Sequence, residues 1–423
     1  MDKFVIRGGT SLRGAVTVSG AKNAALPAMA AALLAPGRVV LRNIPNVMDV
    51  RTMKRLLERM GASVTFVNNV LTIDTSDGIG HEAPYDLVKT MRASYYVLGP
   101  LIGRLGQGRV SLPGGCAIGS RPIDLHLMGF RELGCEIDLE HGYVNAKVGK
   151  LRGKAMRLAG KHGSSVGATI NVMMAACLAK GKTSIEQAAC EPEVTDVADL
   201  LNKMGARIAG AGTPVMEIEG VEVLHGAEHT LIADRIECGT FLVAAAITGG
   251  ELEVKACEPR QVWSVVEKLR EACVVVEVKD HGLIVANPKP HCAVDMTVAP
   301  YPGFPTDMQA QMMALATVTP GISVITETIF ENRFMHVLEL ERLGANIRIE
   351  STSAIVKGVP KLTGAPVMAS DLRASAALVL AGMVAEGETE ISRVYHIDRG
   401  YEGIEMKLNA AGARIQRIHE PWG

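Results

Sequence analysis

The phrase LLERMGASV, residues 56–64, ends an amphipathic helix on a glycine and enters a β-branched stretch. The same phrase recurs as GFRELGCEI at 129–137, LLNKMGARI at 200–208, KLREACVVV at 268–276, ELERLGANI at 339–347 and KLNAAGARI at 407–415. Aligning Gly61, Gly134, Gly205, Ala272, Gly344 and Gly412 gives a period of about 70 residues, longer than that of the common solenoids. Six copies in order argue against chance similarity within an ordinary α/β chain.

Each copy has the same upstream text. An Ala- and Met-rich helix such as NAALPAMAAALLA, TINVMMAACLAKG or ASAALVLAGMVAEG comes first, then a short strand such as RVVLRNI, KTSIEQA or ETEISRV. A polar turn leads to the second helix, whose apolar residues recur at helical spacing, as in Leu56, Leu57 and Met60 or Leu200, Leu201 and Met204. The first helix is apolar nearly all round and is expected at a domain centre; the second has one charged face and is expected outside. The fold class is α/β, with six units divided as three per domain in two domains.

Composition narrows the function. The chain has 423 residues, 48% hydrophobic, and a net charge of -1, which fits a folded multidomain protein with no basic face for nucleic acid. Its first residues, MDKFVIRGGTSLRG, lack a signal-peptide pattern, and its apolar runs fall short of the roughly 20 residues that span a bilayer. Eight cysteines are scattered without a Cys-x-x-Cys pair, so cytoplasmic thiols buried as small hydrophobes are expected rather than a disulfide framework.

The entrances to the six apolar helices read SGAKNAAL, KTMRASYY, HGSSVGAT, DRIECGTF, FPTDMQAQ and ASDLRASA. Four carry a cation, Lys22, Arg92, Arg235 and Arg373, where the helix end is already electropositive. One helix of this kind would be explained by a side chain that snorkels or pairs with a nearby acid. Several equivalent ones point to an anionic ligand, and Arg121, Arg333 and Arg399 in the polar turns suggest that it carries phosphate and carboxylate. Asp307 breaks the series, either as a helix cap or as a base among cations.

The second copy also departs from the pattern. Its turn, LPGGCAIGSRPID, runs from Pro113 to Asp124 and is seven residues longer than the Pro45–Asp49 turn of the first copy. A glycine-rich insertion on a rigid scaffold has the makings of a lid, and Cys116 at its tip, near cations, is suited to act as nucleophile or acid. A cysteine hydrolase with His126 as base lacks a third orienting group and an oxyanion motif.

SGAKNAAL, RASYYVLGPL, LPGGCAIGSRPIDLHL, SSVGAT, FPTDMQAQ, ITETIFENRF, DLRASAALVLAG and YHIDRGYE closely resemble the UDP-N-acetylglucosamine 1-carboxyvinyltransferases, a family of enolpyruvyl transferases. The resemblance runs from about Lys3 to Arg414. It implies two inside-out α/β domains, one over 22–229 and one over 1–21 plus 230–423, the amino-terminal strand joining the second. It also implies a cytoplasmic enzyme of peptidoglycan synthesis that moves enolpyruvyl from phosphoenolpyruvate to the 3'-hydroxyl of UDP-N-acetylglucosamine and releases phosphate, with no metal, organic cofactor, nucleic-acid partner or membrane insertion.

By the same resemblance, Lys22 and Asn23 contact phosphoenolpyruvate, and Arg121 and Arg399 its phosphate or carboxylate. Arg92, the run Arg121, Pro122, Ile123, Asp124 and Leu125, the run Ser165, Val166 and Gly167, and Asp307 and Ile329 contact the nucleotide sugar. Cys116 protonates the methylene carbon and forms a covalent adduct, Asp307 takes the hydroxyl proton, and Asp371 and Arg373 lie near the reaction centre, with Arg333 among the anion-binding cations. Some members have a lysine two residues before the serine of SVGAT, whereas KHGSSVGAT leaves Lys161, His162 or Ser164 as the diphosphate contact, and Tyr95 and Tyr96 alter the nucleotide surroundings. Shikimate 3-phosphate as acceptor, and a non-catalytic ligand-binding protein on the same fold, are the rival readings; the cysteine loop argues against the first, and Cys116 with Asp307 against the second.

Overall fold

The repeated glycine is needed because the helix it ends must reverse through a left-handed residue. In the computed structural model, which describes residues 2–112, 123–161, 163–286 and 291–419, φ is +103° at Gly61, +97° at Gly134, +101° at Gly205, +91° at Gly344 and +100° at Gly412. The fourth copy corrects the alignment drawn from sequence. Ala272 keeps a negative φ of -76° as the cap after the helix Trp263–Glu271, and Cys273, at +64°, takes the left-handed slot. The strand then starts two residues later at Val275, as it starts at Ser63 two residues after Gly61. The absence of a glycine had shifted that copy by one position.

Six four-stranded sheets follow one plan. In the second copy, Gln107–Ser111 lies parallel to the short edge strand Glu82–Ala83 and antiparallel to Tyr143–Lys147, which pairs in turn with Glu136–Glu140. In the first, Arg38–Arg42 has the parallel neighbour Glu228–Thr230, and its hairpin partners Val70–Asp74 and Ser63–Val67 turn on Asn68 and Asn69, both at positive φ. Among the described residues the sixth copy has no returning strand of its own. Asp2–Arg7 fills the gap, antiparallel to Glu388–Ser392 and Ile415–His419, and Arg13–Thr17 supplies the parallel edge of the fourth sheet.

Two compact units result, one holding residues 2–19 and 233–419 of the described chain, the other 20–112 and 123–232. In the first, the helices Arg235–Thr248, Gln309–Thr317 and Leu372–Val384 pack on one another. In the second, Lys22–Ala31, Leu98–Leu105 and Val166–Ala176 form the corresponding centre. Every residue from Ile236 to Thr248 is buried, and the Thr240 and Thr248 hydroxyls donate to carbonyls one turn back, at 2.8 Å each, so that no polar group is left unpaired there. The outer helices bury one stripe only: Met48–Arg59 buries Val50, Met53, Leu56 and Leu57, worth about 1.5–3 kcal/mol for each large side chain. Helices inside and sheets outside make each unit an inside-out α/β domain.

The expectation of unpaired thiols holds for part of the set. Cys135, Cys177, Cys238 and Cys257 are buried free thiols and Cys190 is half-buried, but Cys273 and Cys292 form a disulfide. The Cys292 amide donates to the Ala272 carbonyl at 3.1 Å, which brings the two cysteine Cα atoms to 5.6 Å. Cys116 lies outside the described residues.

Candidate functional site

On the unit that spans 20–232, Lys22 opens its helix with a side chain only 12% exposed, and its Nζ reaches Asp49 Oδ2 at 3.5 Å. Asp49 is the acid of the first turn of Met48–Arg59, so the turn that follows the first strand returns a carboxylate to the buried helix start. Asn23 is half-buried beside it. Arg92 opens the 3-10 turn Arg92–Val97, and Ser165 caps Val166–Ala176, its hydroxyl accepting from the Ala168 amide at 3.3 Å. Val166 and Gly167 are the first two residues of that helix. Ile123 precedes the helix Asp124–Glu132, whose Asp124 is exposed and whose Leu125 is half-buried.

Asn171, which ties Tyr95 to His126 on this unit, was missed in the sequence. The Asn171 amide is oriented by the Gly99 N–H, which donates to Oδ1 at 2.7 Å, while Nδ2 donates to the Tyr95 carbonyl at 3.0 Å. The remaining Nδ2 proton faces His126 Nδ1 at 3.1 Å, which must therefore accept, leaving the ring proton on Nε2. Burial, and then the Arg92 charge, push the His126 pKa down to about 3, so the ring is neutral near pH 7. A Cβ on Gly167 would lie 3.1 Å from His126 Nε2, which explains glycine at that helix start. A neutral, oriented histidine serves as a hydrogen-bond donor, not as the base of a cysteine hydrolase.

Around the unusual KHGSS text, the described residues Ala159–Gly160 and Gly163–Ser164 pair antiparallel as a small hairpin, and Lys161 is exposed. A Cβ on Gly160 would meet Leu125 at 3.5 Å, so the hairpin rests on the predicted substrate-contact run. Tyr95 is buried and packs edge-on to His126 with centroids 5.2 Å apart. Burial raises its phenol pKa well above the ordinary value. Cys116, Arg121, Pro122 and His162 lie outside the described residues.

The other unit gathers Asp307, Arg333 and Arg373 into one cluster. Arg333 Nη2 donates to Asp307 Oδ1 at 2.7 Å, while Arg373 donates to Oδ2 through Nη2 at 3.1 Å and Nε at 3.3 Å. Both guanidinium groups are nearly buried, at 6% and 3% exposed, and the carboxylate is 26% exposed. Arg373 also lies over the Tyr401 ring, and the Tyr401 hydroxyl meets Thr240 Oγ1 at 2.9 Å and Gln311 Nε2 at 3.3 Å. Asp371 caps Leu372–Val384, Oδ1 accepting from the Arg373 and Ala374 amides at 2.9 and 3.0 Å. Arg399 is half-buried after the 3-10 turn Val394–His396, where its charge adds to burial in lowering the His396 pKa. Ile329 is half-buried beside this cluster's supporting turn.

Cations at helix starts thus have protein anions beside them, Asp49 for Lys22 and Asp307 for Arg373. Where Arg235 and Arg373 follow Asp234 and Asp371, the aspartate caps the helix and offsets the cation next to it. Pairing with acids, rather than an anion alone, therefore makes these buried charges tolerable. Among the described residues no group of three or more His, Cys, Asp or Glu side chains could hold a metal ion.

Comparison with known proteins agrees with this arrangement. The family model for EPSP synthase (3-phosphoshikimate 1-carboxyvinyltransferase) matches residues 6–408. The solved enolpyruvyl transferase NikO from Streptomyces tendae superposes with a TM-score of 0.89 at 27% identity, covering 99% of both chains. An EPSP synthase from Acinetobacter baumannii, at 18% identity and a TM-score of 0.73 over 99% of this chain and 100% of its own, shares the fold. The architecture is that of the enolpyruvyl transferases. Among curated proteins, one from Anaeromyxobacter sp. (strain Fw109-5) is 57% identical and one from Methylacidiphilum infernorum (isolate V4) 54%, each covering 99% of both chains. Both are called UDP-N-acetylglucosamine 1-carboxyvinyltransferase, and the chain belongs to that family.

Proposed function

We propose that this chain transfers the enolpyruvyl group of phosphoenolpyruvate to the 3'-hydroxyl of UDP-N-acetylglucosamine and releases phosphate, a step of peptidoglycan synthesis carried out in the cytoplasm. The observation that carries the reading is identity of 54–57% to relatives of that name over nearly the whole chain. In keeping with it, no helix of the described residues is long and apolar enough to cross a membrane.

The chemistry is an addition followed by an elimination. Asp307 accepts the 3'-hydroxyl proton as that oxygen bonds to C2 of phosphoenolpyruvate, and the Cys116 thiol delivers a proton to the C3 methylene. The tetrahedral product then loses a proton from C3 and expels phosphate from C2, which restores the double bond. Lys22, Arg121 and Arg399 offset the charge of the phosphate and carboxylate and Asn23 contacts phosphoenolpyruvate, while Arg92, the run Arg121 to Leu125, the run Ser165 to Gly167, and Ile329 bind the nucleotide sugar. Arg333 and Arg373 hold the Asp307 carboxylate in one orientation, which supports its use as an acceptor.

Phosphate release tests this reading. With phosphoenolpyruvate present, UDP-N-acetylglucosamine should start release and shikimate 3-phosphate should not. Release with shikimate 3-phosphate alone would replace the acceptor, and release with neither would favour a binding protein.

A further inference from the structure

The turn after the central strand of each sheet differs among the copies in a way the reaction scheme does not use. In four copies the residue right after that strand is left-handed: Asn43 at φ +59°, Gln187 at +54°, Ala256 at +58° and Arg393 at +59°. In the second and fifth copies the same position is Leu112 and Glu327, and neither has positive φ. In the second copy that position is followed by the glycine-rich insertion of the sequence. The fifth departs because a side chain organises the turn.

Glu327 is 3% exposed, and both of its carboxylate oxygens are occupied. Oε1 accepts from the Ile329 amide at 2.8 Å and the Phe330 amide at 3.1 Å, which folds the turn back on its own first residue. Oε2 accepts from the Thr306 hydroxyl at 2.7 Å. That hydroxyl in turn accepts from Arg333 Nη1 at 2.9 Å, while Arg333 Nη2 holds Asp307 at 2.7 Å. A guanidinium held at both nitrogens has one orientation, and so does the carboxylate it grips.

We infer that Glu327 is a positioning residue that sets Asp307, through Thr306 and Arg333, and the Ile329 backbone, directly, from one buried carboxylate. The inference rests on the proposed roles of Asp307 as base and Ile329 as a nucleotide-sugar contact. Its two arms are separable. Cutting the Thr306 hydroxyl frees Arg333 Nη1 and loosens Asp307 without touching the Ile329 turn, so turnover falls while affinity for the nucleotide sugar holds. Removing the Glu327 carboxylate releases both. Glutamine keeps an acceptor for the two amides and meets Thr306 with a donor in place of an acceptor, so the turn survives.

The test measures kcat and KM for UDP-N-acetylglucosamine in Thr306→Val, Thr306→Ser, Glu327→Ala and Glu327→Gln, and combines Thr306→Val with Asp307→Asn. Thr306→Val is expected to lose about 10- to 100-fold in kcat, the cost of a misplaced catalytic group, with KM within about threefold of the parent. Thr306→Ser restores most of that loss. Glu327→Ala loses kcat and raises KM about tenfold or more, whereas Glu327→Gln keeps KM within about threefold. In the Asp307→Asn background, Thr306→Val costs less than about threefold further, because it acts through Asp307. The proposal is overturned if Thr306→Val turns over like the parent, if its loss is undiminished in Asp307→Asn, or if Glu327→Ala leaves KM unchanged. Parent-like turnover of Asp307→Asn alone would instead remove the general base, a separate failure. If Glu327→Ala does not fold, Thr306→Val and Glu327→Gln still decide.

Discussion

Replacing Asp307 by asparagine exchanges an acceptor for a donor between two nearly buried guanidinium groups. The carboxylate takes one bond from Arg333 at 2.7 Å and two from Arg373 at 3.1 and 3.3 Å. The amide oxygen can still serve one arginine, but the amide nitrogen then points its protons at the other. From shape alone, asparagine would be tolerated; the charge argument says otherwise. Breaking one side of a buried ion pair costs about 3–5 kcal/mol. Asp307 is 26% exposed, so water recovers part of this, leaving about 2–3 kcal/mol. For a unit of about 200 residues that lowers the melting temperature by about 5–10 °C. Turnover is expected to fall by about a hundredfold or more at temperatures where the variant is folded, since an amide does not accept the hydroxyl proton. Scanning calorimetry reads the first quantity and phosphate release the second. A parent-like melting temperature would refute the claim that the two cations depend on this carboxylate, and turnover within threefold would refute its role as base.

The remaining predictions concern single groups. An electrophilic phosphonate epoxide such as fosfomycin should alkylate Cys116 alone among the eight cysteines, faster with UDP-N-acetylglucosamine bound, as peptide mapping would report; labelling spread over the others would remove that thiol from the site. Cys116→Asp should resist the epoxide and keep activity, since a carboxylic acid can donate the proton, whereas Cys116→Ser should be poor. Burial raises the Glu237 pKa from 4.5 to about 7 despite Lys407 at 2.8 Å, so the unfolded chain releases this proton at lower pH than the folded one. Its contribution to stability therefore declines as pH rises from 4.5 to about 7 and is level outside that window, by on the order of 3 kcal/mol in all. Denaturant unfolding of the parent and of Glu237→Gln across this range should show their difference changing with that sign, and a constant difference would contradict it.

The repeat was legible because the physics that makes it recurs in identical form. Each outer helix needs one apolar stripe and one left-handed residue at its end, so Leu56, Leu57, Met60 and Gly61 have counterparts elsewhere in the chain. The fourth copy was misaligned by one because Cys273 can occupy the left-handed slot, and no local rule announces a cysteine there. The same cysteine hid the disulfide, since pairing with Cys292 depends on where the Ala272 carbonyl brings the later segment. Charged residues at helix starts could be picked out in the sequence, but their partners could not. Asp49 lies 27 residues from Lys22 and Asp307 lies 66 from Arg373, so only the assembled unit brings them together. Glu327 and Asn171 were passed over for a related reason: an acid in a polar turn and an amide in an apolar helix look ordinary until their hydrogen bonds are traced.

Identification of the product formed from phosphoenolpyruvate and UDP-N-acetylglucosamine bears most directly on the account. Mass spectrometry with carbon-13 NMR of the purified nucleotide sugar should find one enolpyruvyl ether, its C2 bonded to the 3'-oxygen, with one phosphate released for each ether formed. An unmodified nucleotide sugar, or enolpyruvyl on any other oxygen, would contradict it.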